Sequence, residues 1–136
     1  MARFLLVLQS RGPAQGDSPE QQDSAFVLRA LEPMLRDLNA EIDHRTSAHL
    51  GALLKQGGES QRMQLFADVQ SKPAGKALEL VLISREAMGL KAPQTLRVFE
   101  RLVELCQQHL QGMTLTFRSD RDGPLPPSSG ANAMDR

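Results

Sequence analysis

The chain has 136 residues, of which 40% are hydrophobic and 24% charged, a composition typical of a single globular domain with its own core. Sixteen basic residues balance sixteen acidic ones, so the net charge provides no general attraction to nucleic acid or to an anionic membrane. The single cysteine excludes an internal disulfide and any metal site built from several cysteines.

The first element is a short, nearly continuous apolar run at residues 3–9, RFLLVLQ, which is typical of a strand that is buried on both faces. The run is too short, and becomes polar too soon, for a signal peptide or a membrane span. We therefore expect a soluble, cytoplasmic protein without a membrane partner.

The loop that follows has the outline of a phosphate-binding loop but not its chemistry. Gly12 and Gly16 are present, yet the sequence has neither the GxxxxGK[ST] pattern nor the three-glycine dinucleotide spacing. Acidic residues at the start of the next helix would also compete with an incoming anion for the helix dipole. We interpret the loop as a turn into a helix that Ser18 caps, with Pro19 at the first helical position and Gln21 closing a capping box.

The first helix is predicted by apolar residues at spacings of four, three and four. These residues share one face: Val27, Leu31, Met34 and Leu38. Pro33 lacks the N–H that would bond to the carbonyl of Arg29, so we expect a kink or an early end at this position. Residues 46–56 then predict a short second helix that ends at Gly57.

Two strands are predicted next. Residues 62–70, RMQLFADVQ, alternate between apolar and polar and indicate a half-exposed strand. The segment SKPAGK at 71–76 has the residues of a turn, and ALELVLIS at 77–84 is a second nearly continuous apolar strand. The two strands should therefore form a hairpin.

A long helix and a last strand complete the predicted elements. The helix runs from Pro93 to Gly112, and its apolar stripe includes Cys106, which we expect to be a buried and unreactive thiol. The segment MTLTFRS at 113–119 alternates and predicts a strand whose inward residues are Met113, Leu115 and Phe117.

This order of elements predicts an α+β fold, a ferredoxin-like βαββαβ sandwich with an extra short helix after the first helix. The first and third strands are then central and the second and fourth are edges, which agrees with the apolar character of residues 3–9 and 77–84. We expect one domain at 1–119 and a disordered tail at 120–136, which is rich in Pro, Gly and Ser. The alternative is a doubly wound α/β fold, against which the hairpin counts.

Two helices on one side of a four-stranded sheet leave its other side uncovered. Strand alternation places five apolar residues on that second side, where they form a predicted partner-binding patch: Leu5, Val7, Phe66, Val81 and Ile83. At roughly 25 cal/mol per Å², covering several hundred Å² of such a patch contributes several kcal/mol. Segment 46–56, a second copy of the chain, or a different protein or apolar ligand would each serve as the cover.

No catalytic residues and no metal site are predicted. His44 and His49 are five residues apart, whereas a metal-binding pair on a helix is four apart, so we do not expect a zinc or catalytic site there. A weak anion-binding site is predicted where a serine and an arginine follow each central strand, on the assumption that the two strand ends meet at one rim. Its residues are Ser10, Arg11, Ser84 and Arg85.

These observations favour a small non-enzymatic protein-interaction domain, as a homodimer or as a subunit or adaptor of a larger assembly, acting through its apolar sheet face. Its partner would be a protein or a second copy of the chain rather than nucleic acid, and no cofactor is expected. The alternative is a small-molecule-binding protein or enzyme of the dimeric α/β-barrel type, with a pocket between the sheet and the helices, near the ends of the central strands. Its first candidate residues would be Arg11, His44, His49 and Arg85.

Overall fold

The computed structural model of the chain describes residues 2–10, 24–54, 63–72, 75–86, 92–110 and 112–122. Within these ranges the fold is mixed α+β, as predicted. The strands are β1 (Ala2–Ser10), β2 (Ala40–Arg45), β3 (His49–Leu54), β4 (Met63–Lys72), β5 (Gly75–Ser84) and β6 (Met113–Arg118). The helices are α1 (Ser24–Ala30), α2 (Glu32–Asp37), α3 (Pro93–His109) and α4 (Ser119–Asp122). The predicted cap at Ser18 lies outside the described residues.

The strands form one antiparallel sheet in the order β2-β3-β4-β5-β1-β6. The predicted hairpin is confirmed, since β4 pairs with β5 along their length. The two apolar strands β1 and β5 are central neighbours, as expected, with Leu6 opposite Leu80. The prediction that β4 is an edge is wrong, because β3 pairs with its other side.

The predicted short helix at 46–56 is wrong, because residues 40–54 form the β2–β3 hairpin. Leu50, Ala52 and Leu54 are all buried and alternate along β3, so a period of two rather than of 3.6 describes this segment. Thr46 closes the turn: its N–H donates to the carbonyl of His49 (2.7 Å), and its hydroxyl accepts from the N–H of His49 (3.0 Å). The hairpin therefore adds two strands to the sheet beside β4.

The predicted kink at Pro33 is confirmed. Helix α1 ends at Ala30 and α2 begins at Glu32, with Pro33 in its first turn. The proline cannot supply the N–H that a continuous helix needs at this point, so one amphipathic pattern is divided between two short helices. The four residues of the predicted apolar face are all buried: Val27, Leu31, Met34 and Leu38.

The main core lies between one side of the sheet and helices α1, α2 and α3. We call this side the inner face and the opposite side the outer face. Phe4 of β1 stacks on Phe99 of α3 with ring centroids 5.1 Å apart. Cys106 is fully buried in this core, as predicted, and burial raises the pKa of its thiol to about 12. No helix in the described ranges is long and apolar enough to cross a membrane.

The prediction that Phe117 points inward is wrong, because a bulge interrupts the pairing of β1 with β6. Leu8 pairs with Leu115, but the next residue of β1, Val7, pairs with Phe117, which leaves Thr116 as the extra residue. A single extra residue reverses the faces beyond it. Phe117 therefore lies with Val7 on the outer face, where it is 1% exposed.

The same reversal turns Arg118 toward the inner face, where its guanidinium carbon lies 5.9 Å from the ring centroid of Phe99. Its Nε and Nη2 atoms donate to the carboxylate of Asp120 at 3.0 and 2.8 Å, and Asp122 accepts from its backbone N–H. The predicted start of the tail at residue 120 therefore falls inside α4. The remainder of that segment, 123–136, lies outside the described residues.

Candidate functional site

The five residues predicted for partner binding all lie on the outer face. Phe66, Val81 and Leu5 are direct cross-strand neighbours on β4, β5 and β1, and we call these three residues the apolar row. Val7 and Ile83 lie on opposite sides of the row, Val7 two residues along β1 from Leu5 and Ile83 two residues along β5 from Val81. Leu5 is buried at 7% exposure and the other four are half-buried, so the patch is contiguous but less exposed than the sequence alone suggests.

Charged residues border the apolar row on both sides. On one side Asp68 pairs with Glu79, and Glu79 pairs in turn with Val7. On the other side Arg3 pairs with Ile83. The outer face therefore has an apolar centre, an acidic flank with Asp68 and Glu79, and a basic flank with Arg3.

The predicted anion site is not assembled, because β1 and β5 are antiparallel. Ser84 pairs with Ala2 at the start of β1, whereas Ser10 is at the other end of that strand. The expectation that the two strand ends meet at one rim was therefore wrong. The hydroxyl of Ser10 accepts from the backbone N–H of Lys76 at 2.8 Å, and Arg11 lies outside the described residues.

Ser84 instead belongs to the N-terminal cap of α3. Its buried hydroxyl is 2.6 Å from that of Thr95, and the carboxylate of Glu86 accepts from the backbone N–H groups of Gln94 and Thr95 at 3.0 and 2.7 Å. Desolvation tends to raise the pKa of Glu86, but these bonds and one from the Thr95 hydroxyl lower it overall. The chain's own carboxylate occupies the position that an anion would take, and Arg85 is exposed beside it.

A second feature of the outer face is a pair of histidines that the β2–β3 hairpin brings together. His44 on β2 and His49 on β3 stand on either side of the turn, and their Nε2 atoms are 2.9 Å apart. The five-residue spacing of His44 and His49 counts against a metal site only on a helix. The two histidines lie on a hairpin, so their spacing does not exclude a site here. Because the pair is on the outer face, it does not line a pocket between the sheet and the helices, where the enzyme alternative would need it.

Each ring is also bonded to a carboxylate, which produces a chain of four side chains that we call the histidine chain: Asp43, His44, His49 and Asp68. The Nδ1 of His44 is 2.9 Å from Asp43 Oδ1, and the Nδ1 of His49 is 2.6 Å from Asp68 Oδ1. A carboxylate only accepts, so each Nδ1 carries the hydrogen and donates it. The ring centroids are 4.9 Å apart and the ring planes are inclined by 24°, with the two Nε2 atoms at 2.9 Å.

The backbone beneath the histidine chain explains its geometry. A bulge between Ile42 and His44 shifts the register of β2, so that His44 pairs with Gly51 and its ring lies directly over that glycine. A Cβ added at Gly51 would overlap the ring, with 2.7 Å to its Nδ1. Phe66, which pairs with Gly51 from the other side, has its ring centroid 6.1 Å from that of His49. The site therefore adjoins the end of the apolar row.

The arrangement can hold a proton or a cation between two imidazole nitrogens. In the described ranges, no group of three or more His, Cys, Asp or Glu has the geometry of a metal site, so the histidine chain offers two nitrogen ligands and no third. The remaining histidine, His109, is in the last turn of α3, with its Nε2 3.7 Å from the carboxylate of Asp37. That contact joins α3 to α2 and is separate from the outer face.

Comparison with protein-family models, with curated proteins and with solved structures found no match. Function therefore has to be inferred from the two features of the outer face, the apolar row and the histidine chain.

Proposed function

We propose that the chain is a non-enzymatic protein-interaction domain that pairs with a second copy of itself through the outer face. The observation that supports this proposal is the contiguous apolar row of Phe66, Val81 and Leu5. Helices α1, α2 and α3 all pack on the opposite side of the sheet. Covering half-buried apolar side chains removes further apolar area from water, which is the main driving force of protein association.

The proposal includes a ferredoxin-like unit formed by β1, α1 with α2, β4, β5, α3 and β6. Its support is the strand order β4-β5-β1-β6, in which the two central strands are the first and third of the unit. The β2–β3 hairpin is then an addition to one edge. Two such sheets can dock face to face with their strands aligned to within about 30°.

The charges beside the apolar row favour a second copy as the partner. A two-fold axis that runs along the row would superpose each strand on its equivalent and exchange the two flanks. The acidic flank with Asp68 and Glu79 would then face the flank of the other copy that holds Arg3. An interface of this kind is self-complementary in charge as well as apolar at its centre.

The test is the mass of the protein in solution, measured by sedimentation or by light scattering after size exclusion. We expect a concentration-dependent species of twice the 15.0 kDa monomer. Val81→Lys places a charge at the centre of the row and should shift the equilibrium to the monomer. Ile42→Lys is the matched control, because Ile42 is 37% exposed and pairs with the inner-face residue Ala52.

The design distinguishes a lost interface from a lost fold. Circular dichroism and the unfolding midpoint of both lysine variants establish that each is folded. A wild-type chain that stays monomeric at every attainable concentration would contradict the proposal. So would a dimer that Val81→Lys leaves intact, because the interface would then lie elsewhere.

A further inference from the structure

We infer that His44 and His49 together bind one divalent first-row transition metal ion, such as Zn²⁺, Ni²⁺ or Cu²⁺, through their Nε2 atoms. Asp43 and Asp68 are the outer carboxylates that orient the two rings. The inference rests on the geometry of one chain and does not depend on the proposed self-association.

The two Nε2 atoms are the ring nitrogens that the carboxylates leave for a metal ion. Metal-binding histidines usually donate their second ring N–H to a carboxylate, which sets the tautomer, holds the ring and makes the ligating nitrogen more basic. Both histidines have this partner, at 2.9 Å for His44 and 2.6 Å for His49. The 2.9 Å contact between the two Nε2 atoms is a hydrogen bond, so one of them carries a hydrogen. A metal ion that binds between them displaces this hydrogen to the solvent as a proton, and both Nε2 lone pairs then serve as ligands.

The 2.9 Å between the two Nε2 atoms is close to the separation of two ligands on one metal ion. Metal–nitrogen bonds of about 2.0–2.1 Å at a tetrahedral angle place two nitrogens about 3.4 Å apart, so the rings must separate by about 0.5 Å. The side chains of His44 and His49 are 47% and 31% exposed, which leaves them room for this rotation. Water from the solvent side would complete the coordination shell.

The charges around the histidines and the type of ligand they supply also favour a transition metal ion. Asp43 and Asp68 are bonded to the rings, and Glu79 is the cross-strand neighbour of Asp68, so the local field favours a cation. Imidazole nitrogen is a ligand that Zn²⁺, Ni²⁺ and Cu²⁺ prefer, whereas Mg²⁺ and Ca²⁺ prefer oxygen. Cys106 does not compete as a ligand, because its thiol is fully buried in the inner core.

The sharpest experiment uses the fact that the chain has only three histidines. In a tag-free chain, the proton NMR signals of their ring Cε1–H groups form a small set that His→Gln variants assign. Substoichiometric Ni²⁺ or Cu²⁺ should broaden the signals of His44 and His49 and leave that of His109 sharp. Calorimetric titration with ZnCl₂ should show one ion per chain, and CaCl₂ should produce no equivalent heat.

Variants establish which residues are ligands. His44→Gln and His49→Gln should each weaken Zn²⁺ binding by at least tenfold, whereas the matched control His109→Gln should bind as the wild type does. Asp68→Asn should weaken binding by about 10–100-fold while the stoichiometry stays at one. The inference is wrong if all three histidine signals broaden together, if both ligand variants bind normally while folded, or if the wild-type chain binds none of the three metals.

Discussion

Replacing Asp120 by alanine tests whether α4 is a docked part of the fold. The carboxylate of Asp120 accepts two hydrogen bonds from the guanidinium of Arg118, at 3.0 and 2.8 Å. The two side chains are only 12% and 10% exposed. In the variant, a nearly buried guanidinium would keep its contact with the ring of Phe99 but lose its counter-ion.

The expected cost follows from that burial. Removing one partner of a buried ion pair typically destabilises a protein by about 3–5 kcal/mol, because the remaining charge has no compensation. The pair here keeps some contact with solvent and with Phe99, so we expect about 3 kcal/mol. The double variant Arg118→Met with Asp120→Ala removes both charges and leaves an apolar side chain over Phe99. It should recover most of the lost stability.

Urea unfolding followed by circular dichroism measures the free energy of each variant, since a domain of this size is expected to unfold in two states. The matched control is Glu104→Ala, which breaks the exposed pair with Arg101 (3.8 Å, side chains 63% and 49% exposed) and should cost no more than about 0.5 kcal/mol. A cost for Asp120→Ala as small as that of the control would refute the docked α4.

Three further predictions concern single residues. Although desolvation raises the pKa of Glu86, hydrogen bonds lower it overall in the folded chain; the cap is therefore stabilising above about pH 4.3 and is lost as the pH falls below it. In an acid titration followed by circular dichroism, the wild type should therefore lose stability more steeply with falling pH than Glu86→Gln does. Cys106 should react with a thiol reagent at pH 8 only after denaturation, because its pKa is about 12 and it is buried. Gly51→Ala should push the ring of His44 away from His49 and abolish the Ni²⁺ broadening, with little change in the unfolding midpoint.

The elements with the strongest hydrophobic signals were predictable. The continuous apolar runs of β1 and β5 indicated central strands, because side chains in the middle of a sheet are flanked by those of both neighbouring strands and are shielded from water more than side chains on an edge strand. Helix α3 has seventeen residues, with an apolar stripe along one face and a proline at its start. Pro33 divided the first helix as its missing N–H requires. Apolar periodicity and the missing N–H of a proline involve residues that are close together in the chain, so both can be recognised in the sequence.

The β2–β3 hairpin was not predictable with the same security, because two periods fit its second strand. Leu50, Leu53 and Leu54 have helical spacing, whereas Leu50, Ala52 and Leu54 have that of a strand. A short apolar run does not distinguish the two. The pairing of β3 with β4, which is a contact between distant parts of the chain, decides between them. The histidine chain was missed for the same reason, since His44 and His49 meet only in a hairpin.

The bulges set a second limit on prediction from sequence. Thr116 interrupts an alternating segment that continues unchanged in the sequence, yet it moves Phe117 to the outer face and Arg118 to the inner one. The bulge in β2 similarly places His44 over Gly51. A bulge leaves no compositional mark when neither residue is glycine, so the residues beyond it are assigned to the wrong face.

Self-association and metal binding can be separated by the choice of residue. Phe66 adjoins both features, with its ring centroid 6.1 Å from that of His49 and its backbone paired with Val81, so substituting it would disturb both. Val81 lies one strand further from the histidines. Val81→Lys should therefore remove the dimer and leave the Ni²⁺ broadening intact, whereas His44→Gln should remove the broadening and leave the mass unchanged. If Val81→Lys also removed metal binding, one chain would not form a sufficient site, and the inference of an intrachain metal site would be wrong.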